Sequence, residues 1–171
     1  MASRQDSFPN FPREIQSRTP QRRTAYQLSS DYYALLDSGD DSQAAEGVVA
    51  NLNDGDHTIE VFRGSLTARR RGAVRGEVRP VYTLQPGGLP VVPTGQVFIS
   101  FRDGIVASDR RPEIERAGYV IARSLDYAPQ AAWLKARSGK VEDALTGISA
   151  LEQIEDLVTI EPQMLIQKMN R

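Results

Sequence analysis

Short apolar runs and amphipathic stretches alternate along the carboxy-terminal part of the chain. A strand that ends at an Asp-Gly turn is predicted over GQVFISFRDG, and a helix that ends at a glycine is predicted over ASDRRPEIERAGY. Two more strands are predicted over YVIARSL and AAWLKARS, joined by the turn-rich segment DYAPQ. A second helix with one apolar stripe follows over SGKVEDALTGISALEQI, and a last strand over EDLVTIEP.

The predicted order, β-α-β-β-α-β within about 70 residues, is that of the ferredoxin-like split βαβ motif. We therefore predict an α+β fold in which a four-stranded antiparallel sheet carries two helices on one face. Because side chains alternate across a strand, the uncovered face should carry Phe98 on the first strand. On the third strand it should carry Trp133, Lys135 and Arg137. An uncovered face with large side chains is typical of a surface that binds a partner.

The amino-terminal half shows weaker patterns. Residues 1–57 mix Pro, Ser, Arg and acidic residues without a sustained period, and we expect a mostly disordered, charged extension. Two apolar runs, HTIEVFRGSLTA and VRPVYTLQP, predict a β-hairpin over residues 58–84. Three prolines and three glycines in PGGLPVVPTG predict a linker over residues 85–94. The compact domain is then expected to span residues 95–171.

Composition narrows the functional classes only slightly. The chain has 171 residues, 40% apolar and 25% charged, with a formal net charge of −1, which favours one ordinary domain plus some extra sequence. Residues 31–60 are acidic without any Lys or Arg, and residues 63–79 are rich in Arg. We interpret these stretches as a solvated segment beside a charged hairpin rather than as a nucleic-acid footprint. Without an apolar run long enough for a signal peptide or a membrane span, a cytoplasmic protein with no membrane partner is expected.

The sequence contains no recognisable catalytic motif, so we expect a protein that is not an enzyme. The chain has no cysteine, and its single histidine, His57, lies in the polar turn DGDHT with no Gly-x-Ser-x-Gly motif elsewhere. The pair Gly139-Lys140 lacks the flanking residues of a phosphate-binding loop. The acidic segment DSGDDSQAAE does not have the ligand spacing of an EF-hand. Neither a cofactor nor a metal ion is therefore expected.

The stretch from Gly95 to Ile166 resembles the propeptide, or inhibitor, domain of subtilisin-type serine proteases. The features that carry the resemblance are VFISFRDG at the start, a helix that ends in ERAGY, and the strand pair YVIARSL and AAWLKARS around a Tyr-Ala-Pro turn. A closing stretch, LEQIEDLVTIEPQMLI, adds an acidic link, a Val-containing strand, Glu-Pro and an extended tail. The resemblance covers somewhat under half of the chain.

The resemblance implies a stand-alone inhibitor or folding chaperone that binds a subtilisin-like protease with the uncovered sheet face and places its tail in the substrate cleft. An amino-terminal piece of a larger precursor is the other possibility. The implied tail residues are Met164, Ile166, Lys168, Met169, Asn170 and Arg171, with the last three closest to the catalytic serine. The implied docking residues are Phe98, Trp133, Lys135, Arg137 and, opposite a helix amino terminus of the protease, Asp126. Packing of Trp133 against residues 58–84 is an alternative to docking.

Two other functions fit the same predicted element order. An RNA-binding domain would need Phe98 and Trp133 exposed side by side, with Arg69, Arg70 and Arg71 nearby. A regulatory module would instead dimerise through the uncovered face, and the sequence leaves the oligomeric state open. Neither alternative requires the carboxy-terminal tail, which therefore favours the inhibitor.

Overall fold

The computed structural model describes residues 8–36, 47–66, 76–84 and 88–167. The strands in these ranges are β1 Glu14–Arg18, β2 Arg23–Leu36, β3 Val48–Asp54, β4 His57–Arg63, β5 Glu77–Leu84, β6 Pro90–Phe101, β7 Tyr119–Ser124, β8 Ala131–Ala136 and β9 Leu157–Leu165. A 3-10 helix at Ala107–Arg110 leads into α1, Arg111–Arg116, and two further short helices follow, α2 Val141–Thr146 and α3 Ile148–Leu151.

The strands belong to one nine-stranded, mainly antiparallel sheet, and the predicted α+β ferredoxin-like class is therefore wrong. The strand order is β3-β4-β2-β1-β9-β6-β8-β7, and β5 pairs with β2 and β6. The described residues are mostly strand, and no helix among them exceeds six residues. The hydrophobic pattern from residue 95 onward predicts strands and helices within that region. It gives no sign that β9 also pairs with β1, where Ile160 lies opposite Arg18.

The extension expected to be disordered over residues 1–57 contains three strands, β1, β2 and β3. In β1 the burial alternates with period two, because Ile15 and Ser17 are buried while Glu14 and Gln16 are exposed. Only one of the two buried residues is apolar, so hydrophobicity alone does not reveal the strand. The disorder prediction is wrong for the described part of this region.

The predicted hairpin over residues 58–84 is also wrong in its pairing. Within the described residues β4 pairs with β2 and β3, while β5 pairs with β2 and β6. The hairpin that does form joins β3 to β4 through Gly55, whose φ of 63° suits a tight turn. Part of the predicted linker, 85–94, is strand as well, because β6 begins at Pro90 and buries Val91 and Val92.

Two compact units divide the chain, and neither is continuous in sequence. The first unit comprises residues 1–10, 27–92 and 164–171, and the second comprises residues 11–26 and 93–163. Each unit therefore combines segments from both ends of the chain.

The first unit has apolar clusters formed by alternate residues of β2 and β4. One cluster contains Ala34, Ala50, Leu52, Ile59, Val61, Val81 and Val92, with Leu165 packed against it. Another contains Tyr33, Leu35, Phe62 and Leu66, and the Tyr33 and Phe62 rings stack at 5.2 Å between centroids. Successive residues of one strand point to opposite faces, so β2 and β4 are buried on both sides.

In the second unit, the helices pack on one face of the sheet. The α1 helix contacts β7, and α2 contacts β8. Buried helical residues include Ile114, Leu145 and Leu151. The Tyr119 hydroxyl of β7 donates a hydrogen bond to the Ala144 carbonyl of α2, which joins the sheet to its helical layer.

Candidate docking surface

The register of β6, β8 and β7 groups side chains into rows on one face of the second unit. Directly opposite residues on paired strands share a face. One row joins Gln96, Lys135 and Val120, the next joins Phe98, Trp133 and Arg123, and a third joins Ser100 and Ala131. We call these eight residues the open face.

The opposite face of the same strands is the one that the helices cover. Its rows join Val97 to Leu134 and Ile121, and Ile99 to Ala132. Val97, Ile99, Ala132 and Leu134 are fully buried. The two faces therefore differ sharply, with a continuous apolar core on one side and mixed aromatic and polar groups on the other.

Phe98 and Trp133 form an aromatic pair at the centre of the open face. Their ring centroids are 5.2 Å apart and the ring planes meet at 62°, an edge-to-face arrangement. Both side chains are half-buried. Part of each ring therefore remains available to a partner.

Arg123 extends the pair to a third strand. Its Cζ atom lies 6.0 Å from the centroid of the Trp133 ring, at the limit for a cation–π contact. Regular alternation would place Arg123 with Tyr119 and Ile121, on the helix side. A β-bulge between Ile121 and Arg123 adds one residue to β7 and moves Arg123 to the open face.

The open face carries two positive charges, from Arg123 and Lys135, and no carboxylate. Both side chains are exposed, and neither makes an ion pair or a hydrogen bond within the part of the chain that the structure describes. The guanidinium and ammonium donors are therefore free for an external acceptor.

The other predicted docking residues lie elsewhere. The Arg137 backbone N–H donates to the Gly118 carbonyl at 2.9 Å, and its Nη2 donates to the Glu115 carbonyl at 3.0 Å. Arg137 thus binds the end of α1 instead of continuing the row of Trp133 and Lys135. Asp126 is exposed in the connection from β7 to β8, next to Tyr127, which is 86% exposed.

The predicted tail begins inside β9. Met164 is half-buried near the end of this strand, and Leu165 packs against the first unit's core. Ile166 is 48% exposed, and Gln167 is exposed. Lys168, Met169, Asn170 and Arg171 lie outside the described residues.

A turn stabilised by charges precedes β9. Arg102 and Arg110 both donate to the carboxylate of Asp156, the second across 3.2 Å. The Arg102 backbone N–H also donates to the Asp156 carbonyl at 3.0 Å. Asp156 thus fixes the end of β6 against the start of β9.

A shallow groove beside this turn is lined by Pro20, Ser100, Phe101, Arg102, Asp103, Gln130, Val158 and Thr159.

The described residues contain no cluster of three or more His, Asp or Glu side chains suited to a metal ion. His57 is exposed at the start of β4, directly after the β3–β4 turn. None of the helices in the described ranges has the length and apolar character needed to cross a membrane.

No protein-family model matches the sequence, and no curated protein or solved structure matches it.

Proposed function

We propose that the protein is a non-catalytic inhibitor and folding chaperone of a subtilisin-like serine protease, which it binds through the open face and the segment that follows β9. The observation that carries this proposal is the half-buried Phe98–Trp133 pair on the side of the sheet opposite the helices. The resemblance of residues 95–166 to subtilase propeptides supplies the class of partner.

The chemistry of the open face supports protein binding. Aromatic residues and Arg contribute most of the binding energy in many interfaces, usually at the centre of a patch with a polar rim. Phe98, Trp133 and Arg123 form the central row, and polar side chains flank it in the neighbouring rows. Burial of the aromatic pair under a partner would remove its remaining exposed surface from water.

The segment after β9 supports the inhibitory part of the proposal. Residues 157–165 are extended, and exposed residues Ile166 and Gln167 follow. An extended segment can add backbone hydrogen bonds to a strand at the edge of a cleft, while alternate side chains enter pockets. Because the half-buried Leu165 packs against an apolar cluster, the segment starts from a fixed point, which lowers the ordering cost of binding.

Inhibition titrations against a panel of subtilisin-type proteases test the proposal. The wild-type chain should inhibit a susceptible protease stoichiometrically, and Trp133→Ala should weaken inhibition at least about 30-fold because it removes a central aromatic group. Deletion of residues 167–171 should also weaken inhibition while leaving the urea unfolding curve unchanged. Val49→Ala, at a 40% exposed apolar residue of β3, is the control and should change inhibition less than about twofold.

Failure of the wild-type chain to inhibit any protease of the panel would refute the proposed function. Full inhibition by Trp133→Ala would show instead that the open face is not the docking surface. Full inhibition by the truncated chain would remove the cleft-binding role of the tail.

A second candidate, single-stranded RNA binding, draws on the adjacency of Phe98 and Trp133 and on the two free cations of the open face. Base stacking needs an accessible ring face. In this structure Arg123 lies over the Trp133 ring and the Phe98 ring meets it edge to face. These contacts favour a protein partner over stacked bases.

A further inference from the structure

We propose that the open face recognises an acidic patch on its protein partner, and that Arg123 is the residue that determines this specificity. This inference rests on the proposed function for the identity of the partner as a protease. It adds the chemistry that the docking surface of that protease should present: Asp or Glu side chains beside an apolar ridge.

The first step is the charge of the open face. Arg123 and Lys135 are exposed and have no ion pair within the described residues, and the other members of the face are uncharged. A carboxylate on the partner would gain two cations, whereas a cation would meet repulsion without a compensating group. Charge complementarity therefore selects an acidic surface.

The second step is the geometry of the two cations. Lys135 is two residues from Trp133 along β8, and this spacing corresponds to about 7 Å in an extended strand. Arg123 lies across from Trp133 on the neighbouring strand. The positive groups therefore occupy adjacent rows beside the aromatic pair, so one partner patch can contact both the cations and the rings.

The third step is preorganisation of Arg123. The bulge in β7 fixes its backbone on the open face, and the Trp133 ring lies within cation–π distance of its guanidinium. A guanidinium held against a ring keeps the N–H groups at its edge free to donate to a carboxylate in a bidentate manner. Less side-chain entropy is then lost on binding than with a free Arg.

A fluorescence titration tests this inference without a protease. Trp133 is the only tryptophan of the chain, so its emission reports directly on the open face. The probes are two synthetic peptides that share a central apolar segment, one flanked by Glu residues and the other by Gln residues. The Glu peptide should change the Trp133 emission at concentrations at least about tenfold lower than the Gln peptide, and added salt should reduce this difference.

Variants of equal charge change identify the residue responsible. Arg123→Gln should remove most of the preference for the Glu peptide, with Lys135 keeping the remainder, whereas Arg111→Gln, at an exposed position of α1, should retain it in full. Arg123→Lys keeps the charge but loses the planar fork, so it should retain part of the preference.

Equal responses to the two peptides would overturn the inference, as would equal effects of Arg123→Gln and Arg111→Gln. A stronger response to a single-stranded oligouridylate than to the Glu peptide would also overturn it, in favour of nucleic acid. A preference for the Glu peptide in a chain that inhibits no protease would support the inference while refuting the proposed function.

Discussion

Tyr119 shows how one side chain links the sheet of the second unit to its helices. The ring is buried, and the hydroxyl donates to the Ala144 carbonyl. Gly147 leaves room for the ring, because a β-carbon at this position would lie 2.7 Å from the Tyr119 hydroxyl. Burial raises the pKa of Tyr119 well above the usual value for tyrosine.

The raised pKa of Tyr119 predicts a loss of stability at alkaline pH. Above about pH 10 the unfolded chain releases the tyrosine proton while the folded chain keeps it, so the free energy of unfolding falls as pH rises. Tyr119→Phe removes this contribution and should give a smaller decrease between pH 7 and pH 10.5. At pH 7 the variant should lose about 1 kcal/mol with the hydrogen bond.

Urea unfolding at several pH values measures both effects. Tyr127→Phe is the matched control, because it removes the same hydroxyl from a side chain that is 86% exposed instead of buried. Equal pH dependence in the two variants would contradict the role assigned to the burial of Tyr119.

Single positions of the open face differ in how far the sequence can predict them. Phe98, Trp133 and Lys135 follow the regular alternation of β6 and β8, so the sequence pattern is sufficient to bring them together. Arg123 could not be placed in this way, because period two assigns it to the side of Ile121. The bulge that moves it contains neither Gly nor Pro, so the local sequence gives no signal for it.

The turn between α3 and β9 is the element that aligns the last strand. Asp156 has a φ of 66°, the only positive value among the described non-glycine residues, and its side chain joins Arg102 and Arg110. Its carboxylate is 13% exposed, whereas the Arg102 side chain is 67% exposed. The interaction therefore combines a protected acceptor with one solvent-screened donor.

Two substitutions of Asp156 separate its side-chain role from its backbone role. Asp156→Gly loses the hydrogen bonds to both arginines but tolerates positive φ, and it should destabilise the protein by about 1–2 kcal/mol. Asp156→Ala loses the same bonds but keeps a β-carbon at positive φ, a strain that glycine relieves, so it should cost about 1 kcal/mol more than Asp156→Gly. Thermal unfolding compares the two variants, and an alanine variant as stable as the glycine variant would contradict the backbone role.

The elements differ in the strength of their sequence signals. Strands β6 to β9 and the helices between them have clear apolar patterns, and the sequence places them near their observed positions, except that β6 begins five residues earlier, at Pro90, and the single second helix is two short helices, α2 and α3. Strand β1 buries Ser17 beside Ile15, and β2 is buried on both faces at Tyr33, Ala34 and Leu35. Neither strand shows apolar–polar alternation, so both resemble a disordered segment in sequence.

At the scale of the whole molecule, strand pairing joins distant parts of the chain. The last strand, β9, lies between β6 and β1 in the sheet order, and β1 comes from the amino-terminal region. The Arg18 side chain also donates to the Leu157 carbonyl at 3.1 Å. The second unit therefore depends on residues 11–26 as well as on residues 93–163.

This dependence predicts that a fragment of residues 95–171 is not an independent domain. Without β1, one edge of β9 loses its partner and exposes unpaired backbone groups. The fragment should unfold at least about 10 °C below the full chain or show no cooperative transition. Circular dichroism during thermal unfolding measures this, and a fragment as stable as the full chain would contradict the structural dependence on β1.

Oxidative footprinting of a complex between the full chain and an inhibited subtilisin-type protease tests the central claim most directly. The method measures the accessibility of individual side chains, and Leu89, which is 59% exposed and belongs neither to the open face nor to the segment after β9, provides an internal reference. We predict that Trp133 and Phe98 are modified in the free chain and protected in the complex, while Leu89 is modified equally in both. Unchanged modification of Trp133 in a fully inhibited complex would contradict docking through the open face.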